Sequence, residues 1–93
     1  MQDIYQGVHL SSANAATTVT IMAGTQPCVL CYVTVNATSA QALTFADGKN
    51  NQIAVLKASV AEGAYHYFVC VNGLQVTVPT GYTGDATVAW DPL

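Results

Sequence analysis

Tyr65-His66-Tyr67-Phe68-Val69-Cys70-Val71-Asn72-Gly73-Leu74-Gln75-Val76-Thr77-Val78 decides the fold class. Aromatic and β-branched residues dominate both sides of an Asn-Gly pair, and such residues favour a pleated, half-buried surface. Asn and Gly both tolerate the positive φ of a type I′ turn. The stretch therefore predicts two strands, Tyr65 to Val71 and Leu74 to Val78, joined as a tight hairpin at Asn72-Gly73.

Strand signals continue upstream. Cys28-Val29-Leu30-Cys31-Tyr32-Val33-Thr34-Val35-Asn36 is the longest β run, and its odd positions Val29, Cys31, Val33 and Val35 are all apolar. Period-two alternation assigns those four to the core. Ala16 to Met22 alternates as well, with Val19 and Ile21 opposed to Thr18 and Thr20. Ala23-Gly24-Thr25-Gln26-Pro27 separates these two runs and reads as a turn by composition. Ala42 to Ala46 and Gln52 to Lys57 are short strands around a turn at Asp47-Gly48-Lys49-Asn50-Asn51. Ala58 to Glu62 fits either a loop or a short helical turn. Asp85 to Trp90 is the last strand, after a loop from Pro79 to Gly84.

Twenty-six of 93 residues are Val, Thr or Ile, and no window keeps the apolar spacing of an amphipathic helix. Seven or eight short strands at near-regular spacing predict one all-β domain, a small antiparallel β-sandwich or barrel. The domain proper is expected over residues 16–93. Residues 1–15 read either as an extended N-terminal arm followed by a linker or as the first strand.

Charge is scarce. Lys49 and Lys57 face Asp3, Asp47, Glu62, Asp85 and Asp91, giving 8% charged residues and a net charge of −3. An ordinary soluble domain carries roughly 25%. A chain of this size exposes roughly 5,000 Å², so wide areas hold no charge. Monomers intersperse charge to prevent association; surface designed for contact with other chains is the reading favoured here over a monomer coated in Thr, Ser, Asn and Gln. Two separated Lys and no Arg argue against nucleic acid and against anionic membrane surfaces. No apolar run approaches the roughly 20 residues of a membrane span. The first residues lack the basic and apolar regions of a signal peptide, so synthesis and retention in a cytoplasm are expected.

Chemistry-bearing patterns are weak. Cys28-x-x-Cys31 with His66-x-x-x-Cys70 is a Cys₃His set on paper. On strands, positions i and i+3 point to opposite faces, and four residues span about 13 Å. One metal is not reached by both pairs, so no metal or cofactor is expected. The serines lie in loops without a nucleophile motif, the carboxylates are scattered, and catalysis is not expected. Tyr65, Tyr67, Tyr82 and Trp90 are the candidates for a sugar platform, but Tyr65, Tyr67 and Trp90, on strands, fit core or cross-strand pairs better. Interaction candidates are Ile4, Tyr5, Val8 and Leu10 in the N-terminal segment, and Tyr82 in the Gly-flanked loop Thr80-Gly81-Tyr82-Thr83-Gly84. For Tyr82 the alternative is a ring folded back over the end of the domain.

From Cys28 to Trp90 the chain resembles small virion proteins of tailed bacteriophages. The resemblance rests on Cys28 to Asn36, Phe45-Ala46-Asp47-Gly48, Val71-Asn72-Gly73-Leu74-Gln75-Val76 and Asp85-Ala86-Thr87-Val88-Ala89-Trp90. Together these look like head decoration, or cement, proteins and related tail or neck pieces. The resemblance implies a structural role on the outer capsid surface, with the major capsid protein as partner and self-association as a homotrimer. Tail, neck or fibre modules and a carbohydrate-binding β-sandwich are the alternatives.

Overall fold

The computed structural model describes residues 6–92, with the side chains of 6, 24–26, 29–31, 66–71 and 92 outside the description. Six strands form in chain order: β1 (Gln6–Leu10), β2 (Thr17–Ala37), β3 (Leu43–Ala46), β4 (Gln52–Leu56), β5 (Gly63–Val78) and β6 (Asp85–Pro92). All pairings are antiparallel, in the order β1-β6-β2-β5-β3-β4.

Two of these strands are unusually long. β2 runs for 21 residues and β5 for 16, against the five or six of a typical strand. The expected turn at 23–27 and the expected hairpin at Asn72-Gly73 are therefore not reversals. Val71 pairs with Cys28 and Leu74 with Met22, both on β2. Asn72-Gly73 supplies a positive φ, +79° at Gly73, but the chain spends it on a corner within a strand. Between the pairs Thr20↔Gln75 and Pro27↔Asn72, β2 advances seven residues while β5 advances three. The surplus on β2 is a wide bulge, which bends paired strands and raises their twist. A local dipeptide preference is satisfied equally by a turn or a bulge; the long-range pairing with β2 selects the bulge.

Each long strand thus serves two layers. Residues 28–37 and 63–72 join β1 and β6 in the first; residues 17–22 and 74–78 join β3 and β4 in the second. Counted as eight segments along the chain, the layers run 1-8-3-6 and 2-7-4-5. This is the strand order of a jelly roll, a β-sandwich of two Greek keys. The eight segments meet the upper of the seven or eight strands expected from sequence, with two pairs fused end to end.

The core lies between the layers. Leu10, Val33 and Val88 from the first meet Leu43, Phe45, Leu74, Val76 and Val78 from the second, all fully buried. Val33 and Val35 face inward as expected, yet Cys28 is also fully buried. The inward phase therefore switches from even to odd along this run. A register slip between Leu30 and Tyr32, present against both β5 and β6, makes the switch. One inserted residue reverses every later side chain.

The first segment belongs to the domain. β1 pairs with β6 from Gln6↔Trp90 to Leu10↔Ala86, so residues 6–10 are strand one and not an arm. Ser11 to Ala15 is a capped 3-10 turn: the Asn14 side-chain oxygen accepts from the Ser11 amide at 3.0 Å, and Ser11 Oγ accepts from the Ala13 amide at 3.3 Å.

Candidate functional site

Of the five interaction candidates, Leu10 is fully buried, Tyr82 is 4% exposed, and Val8 is half-buried against the core. Ile4 and Tyr5 lie outside the described residues. Tyr82 takes the folded-back alternative. Its ring packs over the end of the sandwich beside Gly84, where an added Cβ would stand 2.7 Å from the Tyr82 hydroxyl and 2.8 Å from the Ala37 carbonyl. Burial, and secondarily the charge of Asp85, pushes the Tyr82 hydroxyl above its ordinary pKa. In this chain alone, Leu10 and Tyr82 are committed to the core.

Three loops are tied together at that end, those between β2 and β3, β4 and β5, and β5 and β6. Ser39, the one buried polar residue among those described, accepts at Oγ from the amides of Gln41 (3.1 Å) and Thr83 (3.2 Å). Its carbonyl accepts from the Ser59 amide at 2.7 Å. Thr38 Oγ1 donates to the Val60 carbonyl. The cleft left between these loops, lined by Ser39, Gln41, Lys57 and Tyr82 among others, encloses about 10 Å³. That is room for a single water, far below the 300–1,000 Å³ or so of a small-molecule site.

The polar clusters are small and internally engaged. His9 Nε2 lies 2.8 Å from Asp85 Oδ1, which also accepts from Asn36 Nδ2 at 3.3 Å. These bonds, from His9 first, hold the Asp85 carboxyl below its ordinary pKa. Asp47 accepts from the amides of Asn51 (2.9 Å) and Lys49 (2.8 Å), and the Asn51 amide leads in lowering its pKa. Among the described residues, no three His, Cys, Asp or Glu side chains gather where a metal is held. Of the paper Cys₃His set, only Cys28 has a described side chain; Cys31, His66 and Cys70 lie outside. Trp90 is 6% exposed and Tyr65 half-buried, with its hydroxyl donating to the Ala61 carbonyl. With Tyr82 also buried, these three rings offer no exposed platform. The side chain of Tyr67 is outside the description. The Trp90 indole N–H is buried and has no partner among the described residues.

The sheet faces remain, and sequence reasoning did not single them out. In the second layer Val19, Val76, Phe45 and Ala54 form an inward row across four strands. Alternation places the flanking rows outside. One is Thr18, Thr77, Thr44 and Val55; the other is Thr20, Gln75, Ala46 and Gln52. None of the eight is charged, and Val55, at 42%, is the exposed large hydrophobic among the described residues. The first layer's outer face instead carries the His9–Asp85–Asn36 cluster. The signal was present as alternation in Ala16–Met22, but only the register joins four strands into one face.

No family model matches the chain, and no curated protein matches it. Solved structures do. The chain is similar to the NLP core of Drosophila, with a TM-score of 0.66 and 19% identity over 98% of this chain and 99% of that one. The crystal structure of that core is described as providing insight into pentamer formation and histone binding. At this identity the likeness establishes the fold, a β-sandwich, and nothing beyond it. Among the described residues no helix is long and apolar enough to cross a membrane.

Proposed function

We propose that this chain is a non-enzymatic structural protein that works by binding protein chains, itself included, on the outside of a bacteriophage head. The observation that carries the proposal is the charge-poor surface: 5,023 Å² of exposed area and seven charged residues in the whole chain. Dense surface charge is what keeps soluble monomers apart. The one-water cleft and loops satisfied by their own hydrogen bonds leave broad sheet faces as the working surfaces. The jelly roll is a frequent architecture of capsid domains, which agrees with the resemblance of residues 28–90 to decoration proteins.

Self-association draws support from the pentamer formation described for the Drosophila NLP core; the resemblance to decoration proteins implies a trimer instead. Histone binding is not carried over, because a likeness at 19% identity speaks for the fold alone. Light scattering on a sizing column reads the copy number of this 9.7 kDa chain directly. An oligomer that then co-sediments with empty, tailless heads is the expected result. An oligomer that binds tails and ignores heads moves the protein to the neck or fibre. A monomer that binds neither sinks the proposal.

A further inference from the structure

We infer that Asn72-Gly73 is a self-modification site, at which the chain converts its own Asn72 carboxamide to a carboxylate through a cyclic imide, while the neighbouring Asp47-Gly48 pair is held inert. The inference stands apart from the function proposed above and concerns the one Asn-Gly pair in the chain. The two pairs touch, because the Gly48 amide donates to the Asn72 carbonyl at 2.8 Å. Both have the composition that imide formation needs: an acyl side chain, then a residue with no Cβ to crowd the attacking nitrogen. The fold treats them differently. Gly73 falls in the gap between the pairs Met22↔Leu74 and Pro27↔Asn72 and has no partner in register on β2. Asn72 exposes its side chain at the same corner. At Asp47-Gly48 the nitrogen that would attack is committed to the Asn72 carbonyl. The Asp47 carboxylate is committed as well, accepting from the Asn51 and Lys49 amides.

The chemistry closes with water as the only co-reactant. The Gly73 nitrogen gives its proton to water and bonds to Asn72 Cγ. The carboxamide nitrogen takes up a proton and leaves as ammonia, which completes a five-membered imide. Water then opens the ring at either carbonyl, and nothing is oxidised or reduced. Opening at Cγ restores the peptide and leaves aspartate. Opening at the main-chain carbonyl leaves isoaspartate, whose backbone is one carbon longer. At Asp47 the same attack needs a neutral acid. At neutral pH only about one in a thousand carboxyls of ordinary pKa is protonated, and the amides of Asn51 and then Lys49 hold Asp47 lower still. Either product at position 72 adds one negative charge beside the Asp47-Gly48 turn, taking the net charge from −3 to −4. Isoaspartate also lengthens β5 opposite the bulge in β2, and turns the carbonyl that Gly48 holds into a free carboxylate.

The test incubates the purified chain in warm, neutral buffer, folded and in urea, and follows its charge by isoelectric focusing. Peptide mass spectrometry places each change, and isoaspartyl methyltransferase with a labelled methyl donor counts isoaspartate. The folded protein is expected to convert to a species one charge more acidic, changed at Asn72 alone. Conversion runs slower than in urea, because burial of Gly73 limits the loss of its proton. Asp47 is expected to remain ordinary aspartate in the folded protein and to gain isoaspartate in urea. Asn72→Gln, whose ring would need a sixth atom, is expected to hold its charge. Trp90 fluorescence checks that this variant is folded, and mapping on the wild type decides alone if it is not. A folded wild type that keeps its charge while the unfolded chain converts completely overturns the site, since the fold then protects Asn72. A charge gained at Asn14, Asn36, Asn50 or Asn51 in place of Asn72 does the same. Isoaspartate at Asp47 that rises in step with the change at Asn72 in the folded protein overturns the contrast between the two pairs.

Discussion

The two ends of the sandwich are built on opposite principles. At one end β2 and β5 pass from layer to layer without a break, and the backbone itself makes the connection. At the other, the loops that follow β2, β4 and β5 are held by side chains, with Ser39 at their centre and Tyr82 as the lid. The corner end concentrates its demand on one backbone angle, that of Gly73. The loop end spreads its demand over several modest hydrogen bonds and one tight contact. A closed β-sandwich evidently needs only one end covalently and continuously paired; the other end is left to side-chain chemistry.

Substitutions separate the two. Gly73→Val meets both a φ of +79° and a buried site, and it is expected to lose on the order of 3 kcal/mol from backbone strain and overpacking. Urea unfolding reads this directly; a midpoint close to wild type means that the corner does not need that angle. Gly84→Ala comes next at about 2 kcal/mol, because its Cβ must displace the Tyr82 hydroxyl or the Ala37 carbonyl. Tyrosine fluorescence should change with it, and an unchanged spectrum at full stability would remove Tyr82 from its place as lid. Ser39→Ala leaves the Gln41 and Thr83 amides short of an acceptor, a loss of about 1–2 kcal/mol. Hydrogen exchange should quicken at Gln41 and Thr83 and not at the corner; uniform quickening would contradict a locally held end.

The smallest effect returns to the corner side. Asp47 is exposed and its carboxyl pKa is lowered by the Asn51 and Lys49 amides. A depressed carboxylate stabilises the fold above its unfolded pKa, and that contribution is lost as pH falls through the folded value. Asp47→Asn should therefore melt slightly below wild type at neutral pH and converge with it in acid. Melting curves that run parallel down to low pH would show that the charge contributes nothing. Asp85, lowered by His9 and Asn36, predicts the same sign at the loop end.

Much of this was legible in the sequence. Alternation in Val19 and Ile21, in Val33 and Val35, and in Ala86, Val88 and Trp90 identifies inward faces that the structure keeps. Seven of the eight strand segments were visible in composition and alternation, while the first, Gln6–Leu10 with Val8 as its one β-branched residue, read equally well as an arm. What the residues did not reveal is whether two segments reverse or continue. Asn72-Gly73 records a positive φ, and nothing local says which way the chain leaves it. The phase switch that buries Cys28 was hidden for a similar reason, since a bulge of one residue has no composition of its own. Tyr82 was ambiguous because a glycine-flanked ring can project or fold back; only the close packing at Gly84 and Ala37 decides. The candidate face was invisible until register aligned residues as distant in sequence as Thr18 and Thr77.

The pairing of β1 with β6 has a consequence for how the domain is made. Strand one lies against the last strand and no other, so during synthesis it waits with no partner until residues 85–92 have left the ribosome. Contacts between sequence-distant strands slow folding and lengthen the exposure of unpaired edges. The domain therefore closes only after translation has passed Pro92. Opening it instead at the turn near Asp47 and linking the old ends would let β6 and β1 emerge together, and such a permuted chain should fold faster than the natural one.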